Sequence, residues 1–277
     1  MPPLLTIAHL TLSEALRRRI VTAALLCGLA FLAVFASAIF FAFAHGGIRF
    51  QPPLQQQFNL ALVTVIGLYA ASFLSILFAV LLPVDTLSGE IDSGVMQTLA
   101  AKPIRRADIV LGKWLGHWII VVLYLVLICV AVVETTSLAG RTMRLDLSHT
   151  LPLLALEATL MMTLTIAGGT RLSTVTNGIV GLGFFGVGFI GGWIEQIGAL
   201  TQVDTARTVG IVASLFSPGD SMWRLGVYYL QPAISRGVQV GPFGTSSVPS
   251  PLMVWWTIGF TVLALVFAVR SFRKRAL

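Results

Sequence analysis

The chain has 277 residues, of which 56% are hydrophobic and only 10% charged, and its formal net charge is +7. A soluble domain carries about 25% charged residues, so a water-soluble globule of this size would lack the polar surface to cover itself. A membrane β-barrel is excluded as well, because it needs alternating strands of about ten residues, and the sequence has none.

Apolar runs of about 18 residues or more can cross a hydrocarbon core of roughly 30 Å as helices. Six are present: Ile20–Ala44, Phe58–Val84, Val110–Val133, Leu151–Gly168, the shorter and glycine-rich Gly178–Ile194, and Leu252–Val269. They predict an all-α polytopic membrane protein with one membrane domain over residues 1–277. The first run follows Arg17, Arg18 and Arg19 and ends in Ala42-Phe43-Ala44, which has the form of a signal-peptide cleavage site. It is longer than an h-region of about 7–15 residues, so it is expected to remain as a span.

Before it, Leu5, Ala8, Leu12 and Ala15 fall at helical spacing, with Leu4 and Leu16 on the same face and Thr6, His9 and Ser13 opposite. This stripe predicts an amphipathic helix lying in the membrane interface. Cys27 and Cys129 each sit inside a span, where they read as buried thiols rather than a disulfide or metal site. His9, His45, His117 and His149 are scattered, with no ligand spacing, and read as ordinary solvated or interfacial histidines.

Basic residues set the orientation. With the N-terminus cytoplasmic, twelve fall inside: Arg17–Arg19, Lys102, Arg105, Arg106, Lys113, Arg171, Arg270, Arg273, Lys274 and Arg275. Six fall outside: Arg49, Arg141, Arg144, Arg207, Arg224 and Arg236. Both termini are therefore expected in the cytoplasm, and the positive charge reflects topology and anionic lipid, not nucleic acid.

The polar stretch from Leu87 to Gly116, LSGEIDSGVMQTLAAKPIRRADIVLGKWLG, interrupts the apolar pattern between the second and third runs. Ser93-Gly94 can cap a short helix over Val95–Ala101, which stops before Pro103 because the residue preceding proline disfavours helix. Arg105, Arg106 and Asp108 lead into the third span. A helix–turn–helix displaying both charge signs over 85–109 is more than a passive loop requires, and it suits the docking of a soluble partner. Gly112-Lys113 is followed by Trp114 and has no glycine five residues earlier, so it is not a phosphate-binding loop.

Glu157 lies inside the fourth span, about two turns from its outer end. An ionisable group there is costly unless it faces a cavity or a partner. Two readings stand: a pathway-lining or gating residue, and a carboxyl that snorkels outward or is simply protonated. In the fifth run, Gly181–Gly186 and Gly186–Gly191 both fit G-x-G-x-x-G, but a dinucleotide site needs a strand before the glycines and water around them. These glycines read instead as a surface for close helix approach, with Gly188 and Gly192 at small-xxx-small spacing.

Residues 195–250 form a long external section. Within it Ser217-Pro218-Gly219-Asp220 has the S-x-x-D form of a capping box with proline at the first helical position. The helix it opens, about Gly219–Leu230, is rich in aromatics and suits a re-entrant or interface-lying segment. Gln231–Ser250 reads as loop. The section is also a candidate dock for an extracytoplasmic accessory protein.

The 30-residue stretch resembles the signature of ABC-2 type transporter permeases, above all their NosY-like branch. The matching residues are Ser88-Gly89-Glu90, Gly94 to Leu99, Lys102-Pro103, Arg105-Arg106 and Gly112-Lys113. Leu215–Pro232 resembles the segment before the last span in that branch. The resemblance implies a homodimeric permease bound to two separate ATPase subunits, which would hold ATP and Mg; no cofactor, metal or catalytic residue is expected in this chain. It also implies that Leu87–Arg106 contains the coupling helix, with Leu87, Ser88, Gly89, Glu90, Ile91, Asp92, Gly94, Lys102, Pro103, Arg105 and Arg106 in the coupling site. Glu90 and Arg105 would be polar contacts to the ATPase subunit, and the brief turn around Arg171 a second, smaller one. An intramembrane enzyme would need convergent catalytic groups at membrane depth, and Glu157 stands alone, with no His or second carboxylate mid-span. An ion-coupled secondary transporter would show inverted repeats and several intramembrane charges, which the sequence lacks.

Overall fold

The computed structural model describes residues 2–45, 51–92, 94, 105–140, 145–230 and 247–274. Among them there is no strand. The helices are α1 (Pro3–Leu16), α2 (Arg19–His45), α3 (Pro53–Leu81), α4 (Ser88–Asp92), α5 (Arg106–Gly140), α6 (Thr150–Gly169), α7 (Thr174–Thr201), α8 (Asp204–Phe216), α9 (Gly219–Leu230) and α10 (Leu252–Lys274). Six of these, α2, α3, α5, α6, α7 and α10, are long and apolar enough to cross a membrane. The predicted spans are all present, and most are longer than predicted: α5 has 35 residues, roughly 50 Å of helix, well beyond a hydrocarbon core.

Helices α3, α5 and α6 form the centre. Leu68, Val121, Cys129, Val132, Ala158 and Met162 are fully enclosed there, so Cys129 is a buried thiol as expected, whereas Cys27 is exposed on the outside of α2. Two indoles one turn apart on α5 stitch it to α6: Trp114 donates to Thr163 at 2.8 Å and Trp118 to Thr159 at 2.9 Å. Helices α2 and α10 are mostly unburied by the rest of the chain.

α1 packs along α5. A Cβ on Gly112 would lie 2.8 Å from the Ile7 side chain and 2.9 Å from the Leu4 carbonyl, and one on Gly116 would lie 2.8 Å from the Ala8 carbonyl. Only helix backbone fits that close, so the docked face of α1 is Ile7, Ala8, Thr11 and Ala15. The docked face overlaps the predicted stripe in part. Ala8 and Ala15 face inward, but Leu5 and Leu16 are exposed at 48% and 57%, because the groove takes small side chains and leaves the leucines outside.

The external section is not a surface appendage. α7 runs on to Thr201, and after Gln202, in the left-handed region at φ 58°, the chain doubles back. α8 descends along α7 in antiparallel register, with Arg207 against Gly198, Glu195 against Gly210 and Ser217 against Gly188. α9 then climbs along α6: Gly219 sits beside Glu157, and Thr150 donates to the Gly226 carbonyl at 3.0 Å. α8 and α9 are thus a re-entrant helical hairpin whose tip, Phe216–Gly219, reaches the level of Glu157. The close helix approach expected at Gly188 and Gly192 is made by this hairpin: the Ser217 carbonyl lies 2.8 Å from a Cβ placed on Gly188, and Asp220 fills the space beside Gly192.

Candidate coupling site

One end of the bundle gathers α1, α4, the 170–173 turn and the last turn of α10. α4 follows a tight turn after α3, with Leu82 and Leu87 fully buried. The short helix predicted over Val95–Ala101 lies outside the described residues, as do Lys102 and Pro103 and the side chains of Ile91 and Asp92. A described helix precedes it in sequence, at Ser88–Asp92. Gly94 has φ +75°, a left-handed conformation that favours glycine.

Each described residue of the segment has a definite place. Leu87 packs beneath Gly169. The Ser88 hydroxyl lies 2.9 Å from that of Thr174, at the start of α7. Gly89 sits over Asp85. Glu90 turns inward and forms an ion pair with Lys113 of α5, the two side chains 15% and 6% exposed. Glu90 therefore does not stand out as a free contact, as the sequence suggested; it ties α4 to the core. Arg105 is exposed. The Arg106 guanidinium donates to the Arg273 carbonyl at 3.2 Å. Arg171 is exposed too, yet its Nε donates to Ser271 at 2.9 Å and its guanidinium lies over the Phe267 ring at 5.7 Å, so it links the turn to α10.

Three polar groups behind this surface carry no signal in the sequence. His117 is 1% exposed. Its Nδ1 lies 2.7 Å from the Lys113 carbonyl and its Nε2 3.1 Å from the Thr86 hydroxyl. A carbonyl only accepts, so Nδ1 carries the hydrogen and Nε2 accepts from Thr86. This corrects the expectation of a solvated His117. Asn177, also 1% exposed, donates to the carbonyls of Val84 and Thr165, holding the end of α3 to α6 and α7. Arg18 donates to both Glu14, at 2.7 Å, and Asp85. Burial pushes the Glu14 carboxyl up, but the hydrogen bond and charge of Arg18 outweigh it and hold Glu14 below its usual value. Burial likewise opposes the Arg18 cation, and Glu14 and Asp85 more than compensate. α1 is in this way clamped to the stretch that leads into α4.

α9 starts where the sequence predicts, but the capping-box side chains point elsewhere. The Ser217 hydroxyl donates to the Phe184 carbonyl at 2.8 Å, and the Asp220 carboxylate lies 2.9 Å from Arg224. Pro218 occupies the hairpin tip and is buried. Glu157 is 1% exposed and faces Gly219, so it does not snorkel.

The all-helical bundle has six helices long and apolar enough to cross a membrane, with the polar segment 85–105 between the second and third of them. A family model described as ABC-2 family transporter protein matches residues 5–277. The chain belongs to the ABC-2 transporter family. It is also 34% identical over 124 residues to a protein of Pseudomonas aeruginosa described as a probable ABC transporter permease protein NosY; the match covers 44% of this chain and 42% of that protein. The chain thus matches less than half the length of this relative. The end built by α1, α4 and the 170–173 turn carries exposed cations, Arg105 and Arg171 among them.

Proposed function

We propose that this chain is the membrane subunit of an ATP-driven exporter, in which a separate ATPase subunit binds ATP and Mg and presses on the surface around residues 88–106. The observation that carries this reading is the bracing of α4. Ser88 meets Thr174 of α7, Glu90 meets Lys113 of α5, and Arg18 reaches Asp85 from the turn between α1 and α2. A push on this turn is therefore passed at once to two spans, α5 and α7, and to the end of α1, as a rigid-body change between two packings requires. Arg105 and Arg171 are the exposed cations proposed to meet the ATPase subunit, with Lys102 and Pro103 beside them in sequence.

The working complex is proposed to contain two copies of this chain and two ATPase subunits in the cell membrane, with α2 and α10 supplying apolar faces for lipid and for the second copy. The end carrying Arg17–Arg19, Arg105, Arg106, Lys113, Arg171, Arg273 and Lys274 is proposed to face the cytoplasm, a reading the positive-inside bias supports. The hairpin end faces outward, where an extracytoplasmic accessory protein could dock on residues 195–250. Single cysteines at Ser93 and Ser246, in a chain lacking Cys27 and Cys129, should label from opposite sides of the membrane. Co-expression with the ATPase subunit encoded nearest this chain tests the partner: Arg105→Ala should lower co-purification or uncouple ATP turnover from export. Wild-type yield and coupling in both Arg105→Ala and Arg171→Ala would overturn the assignment.

A further inference from the structure

Two carboxylates from different elements meet at the tip of the re-entrant hairpin. Glu157 of α6 and Asp220 of α9 are 1% and 7% exposed. They line one cavity of about 10 Å³ together with Tyr69, Ser72, Phe189 and Trp223. Ser72 hydrogen-bonds to the Glu157 carboxyl, but Oε2 of Glu157 has no hydrogen-bond partner although it is fully enclosed.

The surrounding charges do not balance. Glu195 on α7, at 4% exposure, is the third buried carboxylate, and Arg224 on α9, also at 4%, is the cation they share. Arg224 Nη2 lies 2.9 Å from Glu195 and Nε 2.9 Å from Asp220. Glu195 is further served by Ser247 at 2.6 Å and Ser214 of α8 at 3.3 Å. α3 contributes only neutral groups here, Tyr69 and Ser72, and α7 adds Trp193, hydrogen-bonded to Tyr69. Among the described residues, three carboxylates therefore face one guanidinium, and Glu157 has no cation. Two unbalanced negative charges among aromatic rings are strongly disfavoured, and neighbouring carboxylates relieve this by sharing a proton.

The cavity admits one water-sized species. A hard metal cation would need about six oxygen ligands or more, and this wall supplies two carboxylates, one serine and one tyrosine among aromatic rings; among the described residues, no three His, Cys, Asp or Glu side chains converge on a metal site. The donor set fits a proton.

We propose that Glu157 and Asp220 form a proton-binding site that holds one proton across this cavity at neutral pH and thereby seats the tip of the α8–α9 hairpin against α6. Losing the proton places two facing charges at the joint and drives the tip away. The site therefore makes hairpin seating depend on pH, and it does so whether or not the ATPase partner proposed above exists.

Infrared spectroscopy of the full chain in lipid vesicles reads the proton directly, through a protonated-carboxyl C=O band that shifts in D2O. The wild type should show this band at neutral pH. Glu157→Gln, which mimics the protonated side chain, should abolish it with helix content unchanged. Asp220→Asn should shift it, because the shared proton loses its second oxygen; this variant also serves if Glu157→Gln fails to assemble. The folding equilibrium should weaken by up to about tenfold per pH unit as pH rises from the ordinary carboxylate range to the pH at which the folded site gives up its proton, the slope for one bound proton, and that slope should vanish in Glu157→Gln. Absence of the band in the wild type, its survival in Glu157→Gln, or its indifference to Asp220→Asn would each overturn the proposal.

Discussion

The Lys113 ammonium donates to the Glu90 carboxylate, joining α4 to α5 beneath the surface that carries Arg105. Both side chains are largely enclosed, so neither can be removed without stranding the other. Removing one member of a buried ion pair typically costs about 3–5 kcal/mol, whereas replacing both with apolar groups is often neutral. Glu90→Ala should therefore lower the unfolding midpoint in detergent markedly, and Glu90→Leu combined with Lys113→Met should recover most of the loss. Arg105→Ala, on an exposed residue, should leave the midpoint unchanged and act only on complex formation. If Glu90→Ala is as stable as the wild type, the pair does not brace α4.

The fit of α1 on α5 makes a second test. With Cβ positions at Gly112 and Gly116 only 2.8–2.9 Å from α1 atoms, added methyl groups must push α1 away, and overpacking of this kind costs about 1–3 kcal/mol. Gly112→Ala with Gly116→Ala should speed proteolysis within residues 3–16 while the six spans remain inserted. Unchanged proteolysis would show that α1 does not dock there.

Acidification should act on the same helix. The folded state holds the Glu14 carboxyl below its usual value, so its contribution to docking is present above the ordinary carboxylate range and is lost as pH falls through and below it. Glu14 is half exposed, at 54%, and surface pairs are worth about 0–1 kcal/mol, so the effect is small. Hydrogen exchange of α1 amides should increase modestly at low pH in the wild type, and Glu14→Gln should show the increase already at neutral pH. Equal exchange in both chains at all pH values would remove Glu14 from the clamp.

At the hairpin, Arg224 is the single cation among Glu195, Asp220 and Glu157 in the described residues. Arg224→Met should strand buried carboxylates and unseat α8 from α7. Arg224→Lys should rescue poorly, because a lysine cannot reproduce the forked contacts to Glu195 and Asp220. A cysteine at Ser214, which is 4% exposed in the wild type, should become reactive to a water-soluble maleimide in Arg224→Met, in a chain lacking Cys27 and Cys129. A silent Ser214→Cys in that variant would mean that the hairpin is held by packing alone.

Much of this molecule is written in one dimension. A hydrocarbon core selects apolar helices of a minimum length, so counting apolar residues located the six spans, and the same criterion isolated 87–109 as the polar interruption. Helix punctuation works over four residues, which is why the start of α9 at Gly219 could be read directly. Partner choice is different, because it depends on which elements lie side by side. Nothing near Glu90 in sequence shows that it meets Lys113, 23 positions on; nothing near His117 shows that Thr86 encloses it. The α1 stripe shares only Ala8 and Ala15 with the docked face, since the shape of the groove at Gly112 and Gly116, and not hydrophobicity alone, decides which face packs on α5. Glu157 and Asp220 are 63 residues apart, and only the folding of α8 and α9 back into the bundle turns a lone intramembrane carboxylate and an apparent helix cap into neighbours in one cavity. Hydropathy and local propensity are properties of a segment and survive in the sequence; charge balance and close packing are properties of a place, and only the tertiary structure creates the place.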